Sequence, residues 1–319
     1  MPQFNTSLAR TDVADALMPD EVSKSILQTT PQQSVVMSMA RNVPMSAKKT
    51  KQPVLATLPD AYWVDGDTGM KQTSKATWKN VTMTAEELAV IVPIPDAVVD
   101  DANIPLWDEI KPLLAEAIGR AVDNAVLFGV DKPASWPEAL VPAATAAGNT
   151  VIAGTGKDIG VDIAELARKV SVGGFNVNGF ASEPGLNWEL IGLRTEQGNP
   201  IYGPSMAQGQ PSTLYGKPIG EVLTGIWPEA VPSTGAKLIA ADWSKIVIGR
   251  RQDITYDLFS EGVISDSDGK VILNLMQQDM KALRVVMRLG YQVANPMTRL
   301  QKNESKRFPA GVLFHPAAG

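Results

Sequence analysis

The stretch "AYWVDGDTGMKQTSKATW", residues 61–78, predicts the far end of a long β-hairpin. The run "KQPVLATLPDAYWV" leads into it, and "ATWKNVTMTAEELAVIVPIP" leads out with the period-2 alternation of a strand: Trp78, Asn80 and Thr82 against Lys79, Val81 and Met83. Asp65-Gly66-Asp67 has turn chemistry, because glycine accepts positive φ and aspartate hydrogen-bonds nearby backbone. Pro53 and Pro59 favour a sheet edge or a free ribbon.

A hairpin of this length is not stable alone in water, so its apolar side chains need cover from outside it. The competing interpretation of the tip is a calcium loop beginning at Asp65. Such a loop requires oxygen ligands at positions 5 and 7 and a glutamate at position 12. Gly69, Lys71 and Ala76 stand at those positions, so the pattern favours a turn.

The residue inventory narrows the possible chemistry. The chain has 319 residues, no cysteine, and one histidine, His315. Thiolate nucleophiles, zinc–sulfur sites and sites built from several histidines are therefore excluded within one chain. A carboxylate-only enzyme is the remaining catalytic alternative, and we predict no cofactor and no metal.

Charged residues form two groups of opposite sign. The basic group is Arg41, Lys48, Lys49 and Lys51, with Lys71, Lys75 and Lys79 on the hairpin. It is consistent with a solvated edge that prevents stray strand pairing, or with contact to an acidic neighbour such as residues 96–109 of another copy. The acidic group is Asp96, Asp100, Asp101, Asp108 and Glu109. We interpret it as a helix N-terminal region, with paired catalytic carboxylates as the alternative.

Residues 104–129 predict the longest helix, with one apolar face at spacings of three and four: Trp107, Ile110, Leu114, Ile118, Ala121, Ala125 and Phe128. Pro112 is expected to kink this helix or to mark its true start near Lys111. Gly129 is a natural C-terminal stop.

The remaining chain divides by composition. Residues 1–45 are expected to form a polar arm with one short helix at 21–28, capped by Asp20. Residues 130–156 favour a linker, and residues 157 to about 265 a compact α/β unit. "GTGKDIG", residues 154–160, lacks the spacing of a phosphate loop and predicts a turn before a helix. No run reaches the length of a membrane span, and the start does not have the pattern of a secretory signal.

The order of these parts resembles the major capsid proteins of tailed bacteriophages of the Hong Kong 97 type. The resemblance covers nearly the whole chain and rests on these stretches: "PIPDAVVDD" (93–101), "GRAVDNAVLFG" (119–129), "STLYGKPI" (212–219), "DWSKIVIGRRQDITYDLF" (242–259) and "ALRVVMRLGYQVANPMTRL" (282–300). It implies an α+β fold with an N-terminal arm (1–45), an extended loop (46–90), a peripheral domain with a long spine helix (91–145 and 270–319) and an axial domain (146–269).

The resemblance also implies a function. Pentamers and hexamers would close into an icosahedral shell around double-stranded DNA, in a virion assembled in the host cytoplasm. The extended loop would lie on a neighbouring subunit through Tyr62, Trp63, Asp65, Asp67, Met70, Lys71, Lys75 and Trp78. Separate scaffolding, portal and cement proteins are possible partners, and no membrane is expected. Some members crosslink a loop lysine to an asparagine; Lys71, Lys75 or Lys79 and Asn295 or Asn303 are the candidates here. An encapsulin, which packages protein cargo in a shell of the same fold, is the closest alternative.

Overall fold

The computed structural model describes residues 33–64, 70–102, 105–156, 158–193, 213–227 and 235–316. The short arm helix expected at residues 21–28 and the turn at Asp65-Gly66-Asp67 lie outside these ranges. Contacts between Cα atoms divide the chain into two compact units. We call Glu87–Gly119 with Gln252–Arg288 the small unit, and Gln33–Glu86, Arg120–Arg251 and Leu289–Gly319 the large unit.

The described residues alternate between helices and strands. The helices are α1 (Val35–Met39), α2 (Asp96–Asp101), α3 (Leu106–Asp123), α4 (Leu140–Ala146), α5 (Ile159–Val172) and α6 (Leu186–Gly192). The strands are β1 (Arg41–Pro44), β2 (Lys49–Thr57), β3 (Thr77–Pro95), β4 (Thr150–Ile152), β5 (Gly179–Ser182), β6 (Thr213–Leu214), β7 (Lys217–Glu221), β8 (Ala236–Ala241), β9 (Ile246–Phe259), β10 (Val263–Ser265), β11 (Val271–Asn274), β12 (Met280–Val293) and β13 (Ala310–Phe314).

The predicted hairpin is confirmed as β2 and β3. The two strands pair antiparallel from Lys49↔Thr84 to Thr57↔Thr77. They belong to a five-stranded sheet of order β1-β9-β12-β3-β2. Since β2 is the last strand, Pro53 stands on an edge, where its missing N–H costs no ladder bond.

The large unit has its main core around a six-stranded sheet of order β4-β13-β8-β5-β7-β6. Every residue of β5 and β8 is buried. Helix α5 packs Ile163, Leu166 and Val170 against this sheet. Asp158 caps α5 by accepting from the N–H of Val161 at 2.9 Å, which confirms a turn and a helix start rather than a phosphate loop.

The linker expected at residues 130–156 is wrong. This segment contains α4 and β4, and Leu140 and Ala144 of α4 are fully buried. Strand β4 pairs in parallel with β13, more than 150 residues later in the chain. The proline- and alanine-rich composition concealed these elements because their stability comes from distant partners rather than from local propensity.

Helix α3 shows where the predicted spine helix was right and where it was not. It begins at Leu106, so Pro112 lies inside the helix and does not mark its start. In the small unit Leu106, Trp107 and Ile110 pack with Ile94 and Val98, and these contacts fix the turn before the proline. Leu114 and Ile118 are buried as expected. A π-helical turn at Asn124–Phe128 follows, and Gly129 ends it at φ 79°, as predicted.

Candidate functional site

The β2–β3 hairpin continues beyond its paired strands towards the tip. The hydroxyl oxygens of Thr57 and Thr77 lie 2.6 Å apart at the last strand pair. Further out, the N–H of Asp60 donates to Ser74 Oγ at 2.8 Å, and the hydroxyl of Tyr62 donates to the carbonyl of Gln72 at 3.3 Å. These bonds join the two extended limbs without strand pairing.

The base of the hairpin is tied to the rest of the large unit. Met83 is buried with Met45 and Val247, and Met297 N–H donates to the carbonyl of Leu55 at 3.0 Å. Arg299 Nη1 lies 2.7 Å from Asp60 Oδ1, and Lys79 pairs with Glu304. The limbs therefore leave from an anchored base.

The apolar side chains of the outer limbs have little cover from their own chain. Trp63 is 99% exposed, Met70 90% and Trp78 66%, and Tyr62 is also exposed. Lys71 and Lys75 are exposed on the same limb. All six belong to the predicted contact set; the other two members, Asp65 and Asp67, lie outside the described residues. A row of exposed aromatic and thioether groups of this kind marks an interaction surface.

The basic group divides into exposed and paired members. Arg41, Lys48, Lys49 and Lys51 are exposed. Lys79 is partly buried by its ion pair with Glu304. Because this pair holds Lys79 in the charged form, the lysine is a poor nucleophile for an amide crosslink.

The asparagines considered for that crosslink have local roles. Asn295 Oδ1 accepts from Arg307 Nε at 2.8 Å, and its Nδ2 donates to the Arg307 carbonyl at 2.7 Å. Asn303 Oδ1 accepts from the N–H and the hydroxyl of Ser305 at 3.0 and 2.8 Å. Crosslinking through either residue stays a prediction.

The acidic group lies in two short stretches rather than at one helix start. Asp96 is in the first turn of α2 and lies 3.2 Å from Lys281 Nζ, and Asp108 and Glu109 are in the first turn of α3. For Asp100 and Asp101 the interpretation as a helix N-terminus is wrong. The chain leaves helical conformation at Ala102, so both aspartates fall in the last turn of α2.

Asp123 holds a buried anchor that sequence reasoning missed. Its carboxylate accepts from Ser34 Oγ at 2.5 Å and from the N–H groups of Val35 and Val36 at 3.0 and 3.1 Å. These are the orphan donors at the start of α1, so Asp123 caps a helix that lies almost ninety residues earlier. Burial raises the pKa of Asp123 to about 6, and the three hydrogen bonds oppose this rise in part. The available signal was an aspartate within the apolar run "AVDNAVLF".

The described ranges contain no group of three or more histidine, cysteine, aspartate or glutamate side chains placed to hold a metal ion. His315 Nε2 instead lies 2.6 Å from Glu183 Oε2. Within the same ranges, no helix is long and apolar enough to cross a membrane.

Comparison with known proteins gives a consistent result. The sequence model described as "Phage capsid family" matches residues 14–298. The chain is 29% identical over 289 residues to the major capsid protein of Staphylococcus phage 80alpha, which covers 88% of this chain and 83% of that protein. A solved structure from Microbacterium phage Oxtober96 is 35% identical with a TM-score of 0.80, covering 97% of this chain and 100% of that one. One from Mycobacterium phage Adephagia is 34% identical with a TM-score of 0.80, covering 98% and 100%. The predicted α+β fold of the Hong Kong 97 type is confirmed.

Proposed function

Because this chain belongs to the phage capsid family, we propose that it is a major capsid protein whose copies form the pentamers and hexamers of an icosahedral shell around double-stranded DNA. The family also confirms the prediction that the chain is a structural protein and not an enzyme. The assembly and its contents are the parts that the proposal adds.

The observation that carries the proposal is the uncovered hairpin. Its base is anchored by buried and hydrogen-bonded residues, whereas Trp63 and Met70 near its tip are almost wholly exposed. A monomer gains nothing from holding these side chains in water. A second copy that covers them removes their apolar surface from solvent and stabilises the assembly.

The energetics suit a symmetric shell. Fully burying one large apolar side chain contributes roughly 1.5–3 kcal/mol, part of which offsets the entropy lost on association. One such contact is modest, but each copy in a closed shell both gives a hairpin and receives one. Repetition of the same contact by symmetry holds the whole assembly.

The partners follow from the same proposal. The formal net charge of −5 gives no overall attraction to nucleic acid, so packaged DNA is a neighbour by non-specific proximity. Separate scaffolding, portal and cement proteins would bind the assembled shell. The protein would reside in the virion after assembly in the host cytoplasm.

The test is electron microscopy and native mass spectrometry of the purified chain. We expect closed shells of uniform diameter, or free pentamers and hexamers when a scaffold is missing. A monomer as the sole species at assembly concentrations would overturn the proposal. The nucleic acid content of shells from infected cells separates a DNA container from an encapsulin, which would hold protein instead.

A further inference from the structure

The small unit has a second hairpin with exposed apolar groups. Strands β10 and β11 pair only with each other among the described strands, and a tight turn at residues 266–270 joins them. In that turn Asp266 Oδ1 accepts from the N–H groups of Asp268 and Lys270 at 3.0 and 2.8 Å. We call residues 257–279 the acidic hairpin.

The two faces of the acidic hairpin differ. Ile264 and Leu273 pack on a small core with Leu275, Met280 and Ala282. Paired residues of antiparallel strands share a face, so Val263 and Val271 lie on the opposite one. Val263 is 54% exposed, Val271 57%, and Met276, just after β11, 73%. A two-stranded sheet is marginal in water, so this face gains stability from an added partner.

Its charge is opposite to that of the β2–β3 hairpin. The acidic hairpin contains five acidic residues and a single basic one: Asp257, Glu261, Asp266, Asp268 and Asp279 against Lys270. Residues 46–79 contain six lysines and three aspartates. Two apolar surfaces rimmed by charges of opposite sign favour binding to each other and disfavour binding to themselves.

The alternative acceptor suggested by the sequence, residues 96–109, fits less well. Asp96 already pairs with Lys281 at 3.2 Å. The apolar residues there, Val98 and Leu106, are buried in the core of the small unit and present no surface to a neighbour.

We propose that the acidic hairpin of one copy is the surface on which the β2–β3 hairpin of a second copy docks. Trp63, Met70 and Trp78 lie against the face of Val263, Val271 and Met276, while Lys71 and Lys75 approach the acidic turn. This inference rests on the proposed function, since it requires copies that assemble.

The absence of cysteine makes a disulfide test clean. In the double variant Met70→Cys/Met276→Cys, oxidation with glutathione disulfide after assembly is expected to link each copy to the next. Non-reducing gels should then show a ladder up to pentamers and hexamers, and reducing gels a single band. The matched control is Met70→Cys/Leu300→Cys, because Leu300 is equally exposed but lies in the large unit. It should give no ladder.

Charge reversal provides the second readout. Lys71→Asp and Asp266→Lys should each lower the yield of assembled particles about tenfold, since like charges then face each other. The combined variant should recover most of that loss. Normal assembly without a disulfide ladder, or a combined variant no better than either single one, would overturn the docking surface while leaving the capsid function intact. Failure of the unmodified chain to assemble would instead overturn the proposed function.

Discussion

The six-stranded sheet and the β2–β3 hairpin use apolar residues in opposite ways. Every residue of β8 is buried against its own chain, whereas Trp63 in the hairpin is 99% exposed. The first region contributes to the stability of a single subunit. The second contributes to stability only when another copy covers it. Substitutions in the two regions should therefore separate folding from assembly.

The largest effect on subunit stability is expected in the sheet. Phe180 of β5 is buried in the main core, so Phe180→Ala removes a ring and leaves a cavity. It should lower the free energy of unfolding of the unassembled subunit by about 3–5 kcal/mol. Denaturant unfolding followed by circular dichroism measures this, with Phe180→Leu as the milder control. A loss below about 1 kcal/mol would contradict the assigned core.

A smaller loss is expected at the buried anchor. Asp123→Ala leaves the hydroxyl of Ser34 and two backbone N–H groups without an acceptor. The expected cost is about 1–3 kcal/mol. Limited proteolysis should also cut more quickly around residues 33–40. Asp123→Asn keeps one acceptor oxygen and should lose less, so equal losses in the two variants would argue against the capping role.

The pH dependence of the same residue gives a third, weaker effect. Burial raises the pKa of Asp123 from an ordinary value of 3.8 to about 6, so the folded state binds this proton more tightly than the unfolded state. Its contribution is present below pH 4 and is lost as the pH rises through 6. The stability of the unsubstituted chain minus that of Asp123→Asn should therefore increase by about 1 kcal/mol between pH 7 and pH 5. A difference that is constant or falls over this range would contradict the raised pKa.

The elements readable from the sequence were those with local signals. The alternation around Trp78 identified β3, and Gly129 identified the end of the long helix, because strand period and left-handed backbone are local properties. Segments stabilised by distant partners were not readable. Strand β4 depends on β13, and Pro112 is tolerated because the turn before it is fixed by packing on Ile94 and Val98.

The candidate site was predictable to a similar degree. An aromatic cluster beside turn residues indicated a surface that needs cover, and the structure leaves Trp63 and Met70 exposed. The cap that Asp123 provides to α1 joins residues far apart in the chain, so no local pattern contains it. The acidic hairpin was present in the sequence, but its exposed face became visible only when the pairing of Val263 and Val271 was known.

The most direct test of the account is Trp63→Ala, with Trp63→Phe as the control that keeps an aromatic ring. The free energy of unfolding of the unassembled subunit should change by less than about 0.5 kcal/mol, because an exposed side chain has few contacts to lose. Electron microscopy at matched concentration should nevertheless show shells from the original chain and from Trp63→Phe, and few or none from Trp63→Ala. Normal shells from Trp63→Ala, at unchanged yield, would contradict the claim that the hairpin holds neighbouring copies together.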